Sequence, residues 1–300
     1  MPELPEVETV VRGLCLSLPG RAIVEVRFGK TDFVDNPAEI AQRLPGARVA
    51  NVTRVGKFIC IVLEPGAAQA AASRRLICLV IHLGMTGQLK VIRSSESVSP
   101  HTHVFFVLDD GRELRYTDIR RFGRMLLIPE SGLAEFTGQL GIEPLEISAE
   151  DFCRHFGSRR ARLKALLLDQ KVLRGIGNIY ADESLFRARL HPARIAETLT
   201  KKQLLGLHGA VRQVLADAIR SRGSSISDYV DSEGNRGEFQ FQHRVYQRTG
   251  KPCFRCKAKI RRMIVAGRSS HFCPRCQPAP RTHRGSEKTL KPRMHTDTHG

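Results

Sequence analysis

An α+β protein of several domains is predicted by three patterns that follow one another along the 300-residue chain. Short apolar or alternating runs, broken by Gly, Pro and Asp, occupy residues 21–128 and indicate antiparallel strands. After Pro129 the apolar residues recur at helical spacing. Two C-x2-C pairs follow between residues 253 and 276, which is the spacing typical of a metal-binding ribbon.

The first domain is predicted to be an N-terminal helix followed by an antiparallel β-sandwich, although a barrel also fits the strand pattern. Pro5 suits the first turn of a helix over 5–18, and Glu6 and Glu8 stand where the helix dipole favours negative charge. Strands are predicted at 22–28, 58–63, 76–83, 103–108, 113–117 and 124–128, with a hairpin turn at 109–111 and a flexible insert at 65–75.

The second half is predicted to be helical, with helices near 149–157, 160–169, 178–188 and 200–221. Ser148 is a candidate cap for the first of these, and GIGN (175–178) separates the second from the third. A long polar segment follows at 220–242 and is typical of a functional loop. The predicted boundaries are 1–135, a linker at 136–150, a helical domain at 151–242, a zinc ribbon at 243–277 and a disordered basic tail at 278–300.

The charge of the chain favours a polyanionic partner. Lys and Arg number 48 against 30 Asp and Glu, which gives a net charge of +18. This excess favours nucleic acid over membrane, although a basic protein of another kind would carry it too. Apolar runs are too short to span a bilayer, and the acidic amino terminus is unlike a signal peptide. We therefore expect a cytoplasmic, nucleoid-associated protein without a membrane partner, whose cysteines are thiols or metal ligands.

The cysteines fall into two groups. Cys15, Cys60, Cys78 and Cys153 are single and lie among apolar neighbours, so they are predicted to be small buried residues. CFRC (253–256) and CPRC (273–276) are separated by sixteen residues and point four sulfurs at one centre. A redox dithiol would need only one such pair. The sequence therefore predicts one structural Zn²⁺ held by Cys253, Cys256, Cys273 and Cys276.

The amino terminus itself is a candidate for chemistry. Removal of Met1 would leave Pro2 with a free secondary amine, and an α-amine has a pKa of about 7.7–8.0, so a useful fraction is nucleophilic at neutral pH. Such an amine can attack a sugar C1′ and form a Schiff base, with Glu3 beside it to move protons. From the residues alone an ordinary helix start remains the alternative.

Several motifs in order resemble the formamidopyrimidine-DNA glycosylases. They are MPELPEVETVVRGL at the amino terminus, VGKFI (55–59), IHLGMTG (81–87), DIRRFG (118–123), GIGNIYADE (175–183) and GRSSHFCPRC (267–276). The resemblance runs from residue 2 to residue 276. It implies that the helical domain is a helix–two-turn–helix unit, and that the chain acts on damaged double-stranded DNA, as a monomer.

The resemblance implies a role for each matching residue near the terminus. Pro2 matches the Schiff-base nucleophile, Glu3 the proton donor and acceptor at the sugar, and Glu6 a supporting acid. Lys57 matches a lysine that contacts phosphate and takes part in β-elimination; on its own it would be a solvated lysine. Arg268 matches the zinc-ribbon arginine that grips phosphate beside the lesion and assists the second elimination.

The resemblance also implies which residues contact the duplex. Met85, Arg120 and Phe122 match the residues inserted where the extruded base has left the stack, although Met85 and Phe122 singly would be core residues. Arg121 and Asp118 are expected to brace that turn or reach phosphate. Further expected DNA contacts are His82, His101, Arg159, Lys164 and Asn178, the last with a plain helix cap as the alternative. The backbone amides at the helix start after GIGN are also expected to bind phosphate. The segment 222–242 matches the loop that closes over the base, with Ser227 where relatives often have a basic residue.

The expected function is therefore that of a bifunctional DNA glycosylase and AP lyase for oxidised purines such as 8-oxoguanine and formamidopyrimidines. Excision through Pro2 would be followed by β- and δ-elimination, as a step of base excision repair. An enzyme for oxidised pyrimidines of the endonuclease VIII kind is the alternative within the same chemistry. A zinc-ribbon DNA-binding protein without catalysis is the alternative of another class, and it leaves the PELPE terminus unexplained.

Overall fold

The structure is a computed structural model, and it describes residues 1–66, 75–226 and 228–280. Most of the insert predicted at 65–75 lies outside the described residues. The same holds for Ser227 and for the predicted tail beyond residue 280. Within the described part of the chain, no helix is both long enough and apolar enough to cross a bilayer.

The first domain is a β-sandwich led by a helix, as predicted. Helix α1 spans Leu4–Ser17. One sheet has the order β1-β6-β7-β5 and the other β2-β3-β4-β8, and neighbouring strands are antiparallel throughout. The strands are β1 (Ile23–Phe28), β2 (Arg48–Val55), β3 (Phe58–Glu64), β4 (Ile77–His82), β5 (Gln88–Arg93), β6 (Thr102–Leu108), β7 (Arg112–Thr117) and β8 (Arg124–Pro129).

The core of this domain lies between the two sheets and α1. Val7, Val10, Leu14 and Leu18 of the predicted apolar face are fully buried against residues of both sheets. Each such side chain contributes about 1.5–3 kcal/mol through burial. Helix α2 (Pro37–Arg43) and strands β2 and β5 add to the predicted elements. The periodicity of β5 is weak because its side chains alternate only partly between buried and exposed positions.

The helical domain has a separate core. After α3 (Leu133–Gly138) it contains α4 (Ala149–Gly157), α5 (Leu163–Leu168), α6 (Asn178–Arg187) and α7 (Lys201–Arg220), with short 3-10 turns at Ala196–Thr198 and Phe239–Gln242. Ser148 caps α4 as predicted, because its side chain accepts the N–H of Asp151. Leu4 of α1 packs in this second core, whereas Val7 packs in the first. Helix α1 therefore spans both cores, and the amino terminus lies between the two domains.

The C-terminal module is a two-stranded hairpin of β9 (Arg261–Val265) and β10 (Arg268–Phe272), flanked by the two C-x2-C turns. Its small apolar cluster contains Phe186 of α6, Val245, Ile260 and the zinc-site cysteines. Among the four single cysteines, Cys60 and Cys78 are buried as predicted. The prediction was wrong for Cys15, which is exposed on α1 and donates to the Val52 carbonyl, and Cys153 is only partly buried.

Candidate active site

The amino terminus is anchored in the crevice between the domains. Pro2 is buried, whereas Met1 is 50% exposed. The backbone N–H of Leu4 donates to the Gly175 carbonyl at 3.0 Å, which ties the start of α1 to the GIGN turn. A cavity of about 30 Å³ adjoins Pro2 and is lined by Met1, Pro2, Glu6, Met85, Ile179, Ser224, Ile226 and Tyr229.

Glu3 is buried at the amino end of α6. Its carboxylate accepts the backbone N–H groups of Gly177 at 2.9 Å, Ile179 at 3.0 Å and Tyr180 at 3.4 Å. A Cβ on Gly177 would lie 2.4 Å from the carboxyl carbon of Glu3, so glycine is needed for this approach. Burial raises the pKa of Glu3, while the charge of Lys57 and the N–H groups of α6 oppose that rise. The amide donors at this helix start, expected to bind phosphate, hold Glu3 instead.

Glu6 joins three separate segments of the chain. Its carboxylate accepts the N–H of Glu3 at 2.8 Å, the N–H of Ser224 at 2.7 Å and the hydroxyl of Tyr180. Burial, and then the negative charge of Glu3, raise the pKa of Glu6 to about 7. The predicted supporting acid is thus a buried anchor, which links the terminus to α6 and to the segment 222–242.

Lys57 and Arg268 are the two expected cations of the site. Lys57 precedes β3 and is buried, so it is not the solvated lysine that its position alone would indicate. Burial lowers the pKa of Lys57; the charges of Glu3 and Glu6 raise it, and that of Arg268 lowers it. Arg268 is exposed at the first position of β10. Two cations and two carboxylates are therefore electrostatically coupled around Pro2.

The turn 118–123 presents exposed side chains from a rigid base. Asp118 is fully buried and accepts hydrogen bonds from Thr86 Oγ1, from Tyr116 at 3.1 Å and from the N–H of Gly123 at 2.9 Å. It braces the turn and cannot reach phosphate. The guanidinium of Arg120 lies 4.5 Å from the centre of the Phe122 ring.

The side chains expected to enter the duplex are all accessible. Phe122 is 56% exposed and Met85 is 39% exposed, so neither is a core residue. Arg121, with a φ of 54°, pairs with Asp32 at 2.8 Å. That ion pair turns Arg121 away from the stacked Arg120 and Phe122.

The other expected DNA contacts differ in their surroundings. His101 is exposed. Arg159 is partly buried and donates to the His155 carbonyl at 3.0 Å. His82 Nδ1 accepts the N–H of Gly84 at 3.1 Å, and burial together with the charge of Lys57 lowers the pKa of His82 to about 4. His82 is thus neutral, and any contact it makes with phosphate is a hydrogen bond without an ion pair.

The expectation that Lys164 contacts DNA is wrong. Its side chain is fully buried, and its ammonium donates to Asp182 Oδ1 at 2.6 Å and to the Ser269 carbonyl at 2.5 Å. Asp182 also accepts the N–H of His271 at 2.9 Å. The lysine therefore connects α5, α6 and β10. Asn178 is the first residue of α6 and Gly177 is its cap, so the plain-cap alternative for Asn178 is also wrong.

The four predicted metal ligands converge. The sulfur atoms of Cys253, Cys256, Cys273 and Cys276 all lie within 4.8 Å of one another. The Cys253–Cys276 and Cys256–Cys273 separations are 3.9 Å and 3.3 Å. Thiolates around a tetrahedral zinc, at about 2.3 Å from the metal, stand about 3.8 Å apart. The donor set fits one structural Zn²⁺ with no open position.

Three family models match the chain in the order of its domains. The N-terminal domain of formamidopyrimidine-DNA glycosylase matches residues 1–125, and the H2TH domain of the same enzyme matches 140–230. The zinc finger found in FPG and IleRS matches 250–279. The chain belongs to the formamidopyrimidine-DNA glycosylase family.

The similarity to relatives extends over nearly the whole chain. A formamidopyrimidine-DNA glycosylase of Solibacter usitatus is 47% identical, over 92% of this chain and 99% of that protein. One from Heliobacterium modesticaldum is 46% identical, over 92% and 100%. The solved complex of a Lactococcus lactis FPG mutant with Fapy-dG-containing DNA has a TM-score of 0.83 and 31% identity, over 93% of this chain and 100% of that one.

Several residues around the site were not identified from the sequence. Tyr180, Ser224 and His243 are buried and hydrogen-bonded near Glu6, and Asp182 holds Lys164. Tyr180 and Asp182 lie inside the GIGNIYADE motif, which could have drawn attention to them. Ser224 and His243 stand in a polar segment without periodicity, so no local pattern marks them.

Proposed function

We propose that the chain is a bifunctional DNA glycosylase and AP lyase that excises oxidised purines from duplex DNA in base excision repair. The observation that carries the proposal is the buried Pro2, which is followed by Glu3 at a terminus held by the contacts of Leu4 and Glu6. The charge of Lys57 acts on this Glu3. Its membership of a family of glycosylases supports the reaction class. The net charge of +18 supports a DNA partner.

The first chemical step uses the Pro2 amine after removal of Met1. The nitrogen lone pair attacks C1′ of the damaged nucleotide, and the glycosidic electron pair leaves with the base. The proton lost from the amine nitrogen balances the one that the departing base takes up. Glu3 donates the proton that opens the sugar ring, and loss of the ring oxygen from C1′ gives an iminium ion. The raised pKa of Glu3 supports this role, because such a carboxyl holds its proton to higher pH than an ordinary glutamate does.

Strand cleavage follows from the same iminium ion. Removal of a proton from C2′ expels the 3′ phosphate, and a second elimination expels the 5′ phosphate. Lys57 and Arg268 contribute positive charge beside the departing phosphates, where it stabilises developing anions. Burial, and to a smaller extent the charge of Arg268, lower the pKa of Lys57, and the negative charge of a bound phosphate would oppose that lowering. The bound zinc would hold the hairpin that carries Arg268.

The remaining residues are proposed to hold the distorted duplex. Met85 and Phe122 fill the space left by the extruded base, and Arg120 offers donors to the orphaned partner base. The proposed contacts to the DNA backbone are His101, Arg159, Asn178 and His82. Arg121 is proposed to contact the DNA at the edge of this surface. The protein is proposed to act as a monomer, in the cytoplasm at the nucleoid.

Borohydride trapping on duplex DNA tests the proposal. Wild-type protein should give a covalent adduct on 8-oxoguanine and abasic duplexes, and mapping should place the adduct on Pro2. Pro2→Gly should trap far less, because glycine lacks the secondary amine and its fixed geometry. An absent wild-type adduct, an undiminished one with Pro2→Gly, or an adduct on Lys57 would overturn the mechanism.

Two further measurements separate the alternatives. Intact mass of the purified protein should be lower by one methionine residue, since the amine is otherwise blocked as an amide. Parallel trapping on an oxidised-pyrimidine duplex distinguishes an endonuclease VIII-like preference. A DNA-binding protein without catalysis would bind the duplexes and leave every strand intact.

A further inference from the structure

Ser224 belongs to the segment 222–242 and connects this segment to the buried carboxylate of Glu6. It is 5% exposed, and its backbone N–H donates to Glu6 Oε1 at 2.7 Å. Its hydroxyl oxygen lies 3.1 Å from Nε2 of His243, the residue that follows the far end of the segment. Ser224 is thus bonded both to Glu6 and to the opposite end of the loop.

Other hydrogen bonds close the base of the same loop. The N–H of Phe239 donates to the Gly223 carbonyl at 2.9 Å, and the N–H of Glu238 donates to the Ser221 carbonyl at 2.8 Å. Gly223 has a φ of 77°, and a Cβ at this residue would lie 2.8 Å from Glu6 Oε1. The two ends of the loop therefore move together, and they are seated directly on Glu6.

The position of Ser224 determines where Ile226 lies relative to Pro2, the candidate nucleophile. Ser224 and Ile226 line the cavity of about 30 Å³ that adjoins Pro2. Ile226 also borders a larger cavity of about 410 Å³ on its other side, to which His243 and Phe241 contribute. Because only one residue separates Ser224 from Ile226, a shift of Ser224 moves Ile226 relative to Pro2.

His243 is held as a rigid, neutral partner for Ser224. Its ring is buried and meets the rings of Phe239 and Tyr246 edge-on, at 5.6 Å and 5.5 Å. Burial and the charge of Arg248 lower the pKa of His243 to about 4, so the imidazole is neutral near pH 7. A neutral imidazole exchanges one hydrogen bond with a hydroxyl.

Without that imidazole the Ser224 hydroxyl has a second partner within reach. The Tyr180 hydroxyl lies 3.5 Å from Ser224 Oγ and already donates to Glu6. The imidazole, at 3.1 Å, is the nearer partner of the Ser224 hydroxyl, and Tyr180 is the more distant one. A Ser224 hydroxyl released by His243 would be left with Tyr180 as its hydrogen-bond partner.

We propose that His243 is a positioning residue for base excision. By fixing the Ser224 hydroxyl it holds the loop 222–242 against Glu6, and so places Ile226 beside Pro2. The inference rests on the proposed function and on the expectation, from the resemblance, that the segment 222–242 closes over the extruded base. An abasic site has no base for the loop to cover, so its cleavage depends less on this contact.

The test compares two substrates under single-turnover conditions: a duplex with 8-oxoguanine and the same duplex with a preformed abasic site. His243→Phe keeps the ring contacts and removes the nitrogen. It should lower the ratio of the excision rate to the abasic-cleavage rate roughly 10-fold, the effect of about one buried hydrogen bond. His243→Gln, whose amide can reach Ser224, should recover most of that ratio.

Ser224→Ala tests the same contact from its other end. It should lower the excision rate by a similar factor, and the Ser224→Ala/His243→Phe double variant should be no slower than either single variant. Equal losses on both substrates for His243→Phe, or additive losses in the double variant, would overturn the inference. Thermal melting identifies a variant that fails to fold, and the remaining single variant then carries the test.

Wild-type trapping separates this inference from the proposed function. If wild-type protein forms no borohydride adduct on the abasic duplex, the proposed function has failed. If the adduct forms on Pro2 and the substrate ratio is unchanged in His243→Phe, the inference alone has failed.

Discussion

Glu6 accepts a hydrogen bond of 2.8 Å from the backbone N–H of Glu3, so one buried carboxylate holds the residue that bears the other. The Glu3 carboxylate in turn is bound by N–H groups at the start of α6. Each acid is thus oriented by backbone donors, which do not change with side-chain rotamers. This arrangement fixes the chain terminus between the two domains.

Because Glu3 and Glu6 are close together, the negative charge of Glu3 makes ionisation of Glu6 less favourable. The pKa of Glu6 is raised from 4.5 to about 7, chiefly by burial and then by the charge of Glu3. The folded protein therefore keeps the Glu6 proton over a pH range in which the unfolded chain has lost it. Stability should fall as the pH rises from about 4.5 to about 7, and level off above that.

Glu6→Gln removes this titration, and comparison with wild type isolates it. The free energy of unfolding of wild type minus that of Glu6→Gln should decrease by about 3 kcal/mol between pH 4.5 and pH 8. Urea denaturation at several pH values measures the difference, and titrating groups that do not interact with Glu6 cancel between the two proteins. A difference that stays flat or rises with pH contradicts the raised pKa.

The pair formed by Lys164 and Asp182 gives a second prediction. Both side chains are fully buried, so Lys164→Met leaves the Asp182 charge without its cation. The free energy of unfolding should fall by about 3–5 kcal/mol. Lys202→Met, at an exposed position of α7, is the control and should change it by less than about 0.5 kcal/mol.

DNA binding distinguishes the buried pair from a phosphate contact. At a temperature where Lys164→Met is folded, the dependence of its DNA affinity on salt should equal that of wild type. The contrary result is a Lys164→Met protein of wild-type stability whose DNA affinity depends less on salt, by about one phosphate contact. It would mean that Lys164 contacts DNA.

Local sequence patterns predicted the helices and strands, whereas contacts between distant residues determine the geometry of the candidate active site. The helix at 5–18 was recognisable because one buried face repeats at a fixed period, and the strand at 58–63 because its apolar run is continuous and buried on both faces of the sheet. The two C-x2-C pairs were recognisable because coordination needs a fixed spacing. Pro2 and Glu3 were candidates from the chemistry of a free amino terminus, and the resemblance favoured them over a plain helix start. Arg268 came from resemblance alone, since nothing in composition or period marks it.

The failures have a common physical origin. Lys164 was taken for a surface charge because its partner Asp182 is 18 residues away and on another helix. The α6 amides were assigned to phosphate because Glu3, which occupies them, is 174 or more residues distant. Sequence periodicity reports which face is buried, and it does not report which distant polar group enters that face.

The zinc site allows the role of the C-terminal module to be tested. Cys276→Ser should release the metal and lower the affinity for an abasic duplex roughly 10-fold or more, because the hairpin with Arg268 is no longer rigid. The β domain should remain folded, since its core is separate from the cysteine cluster. Cys15→Ser, at an exposed thiol of α1, is the matched control.

Fluorescence anisotropy and zinc quantification measure the two effects on the same samples. Metal-free protein with unchanged affinity would mean that the module does not contribute to DNA binding. Loss of the β-domain fold in Cys276→Ser would mean that the domains are not independent.

Phe122 provides the sharpest test of how the duplex is held open. Its ring is 56% exposed, stacked by Arg120 and carried on a turn braced by Asp118, so it is ordered before DNA arrives. A ring stacked on a base contributes about 1–3 kcal/mol. Phe122→Ala should therefore weaken binding to an abasic duplex by that amount, without lowering the stability of the protein.

Comparison with undamaged DNA shows whether Phe122 fills the gap left by the base or is a general surface contact. Undamaged duplex has no gap for the ring to fill, so Phe122→Ala should alter its affinity by less than about twofold. Leu16→Ala, at an 88% exposed apolar residue of α1, should change neither affinity. Equal weakening on both duplexes would show that Phe122 acts as a general surface contact. Selective weakening on the abasic duplex would show that its ring substitutes for the missing base.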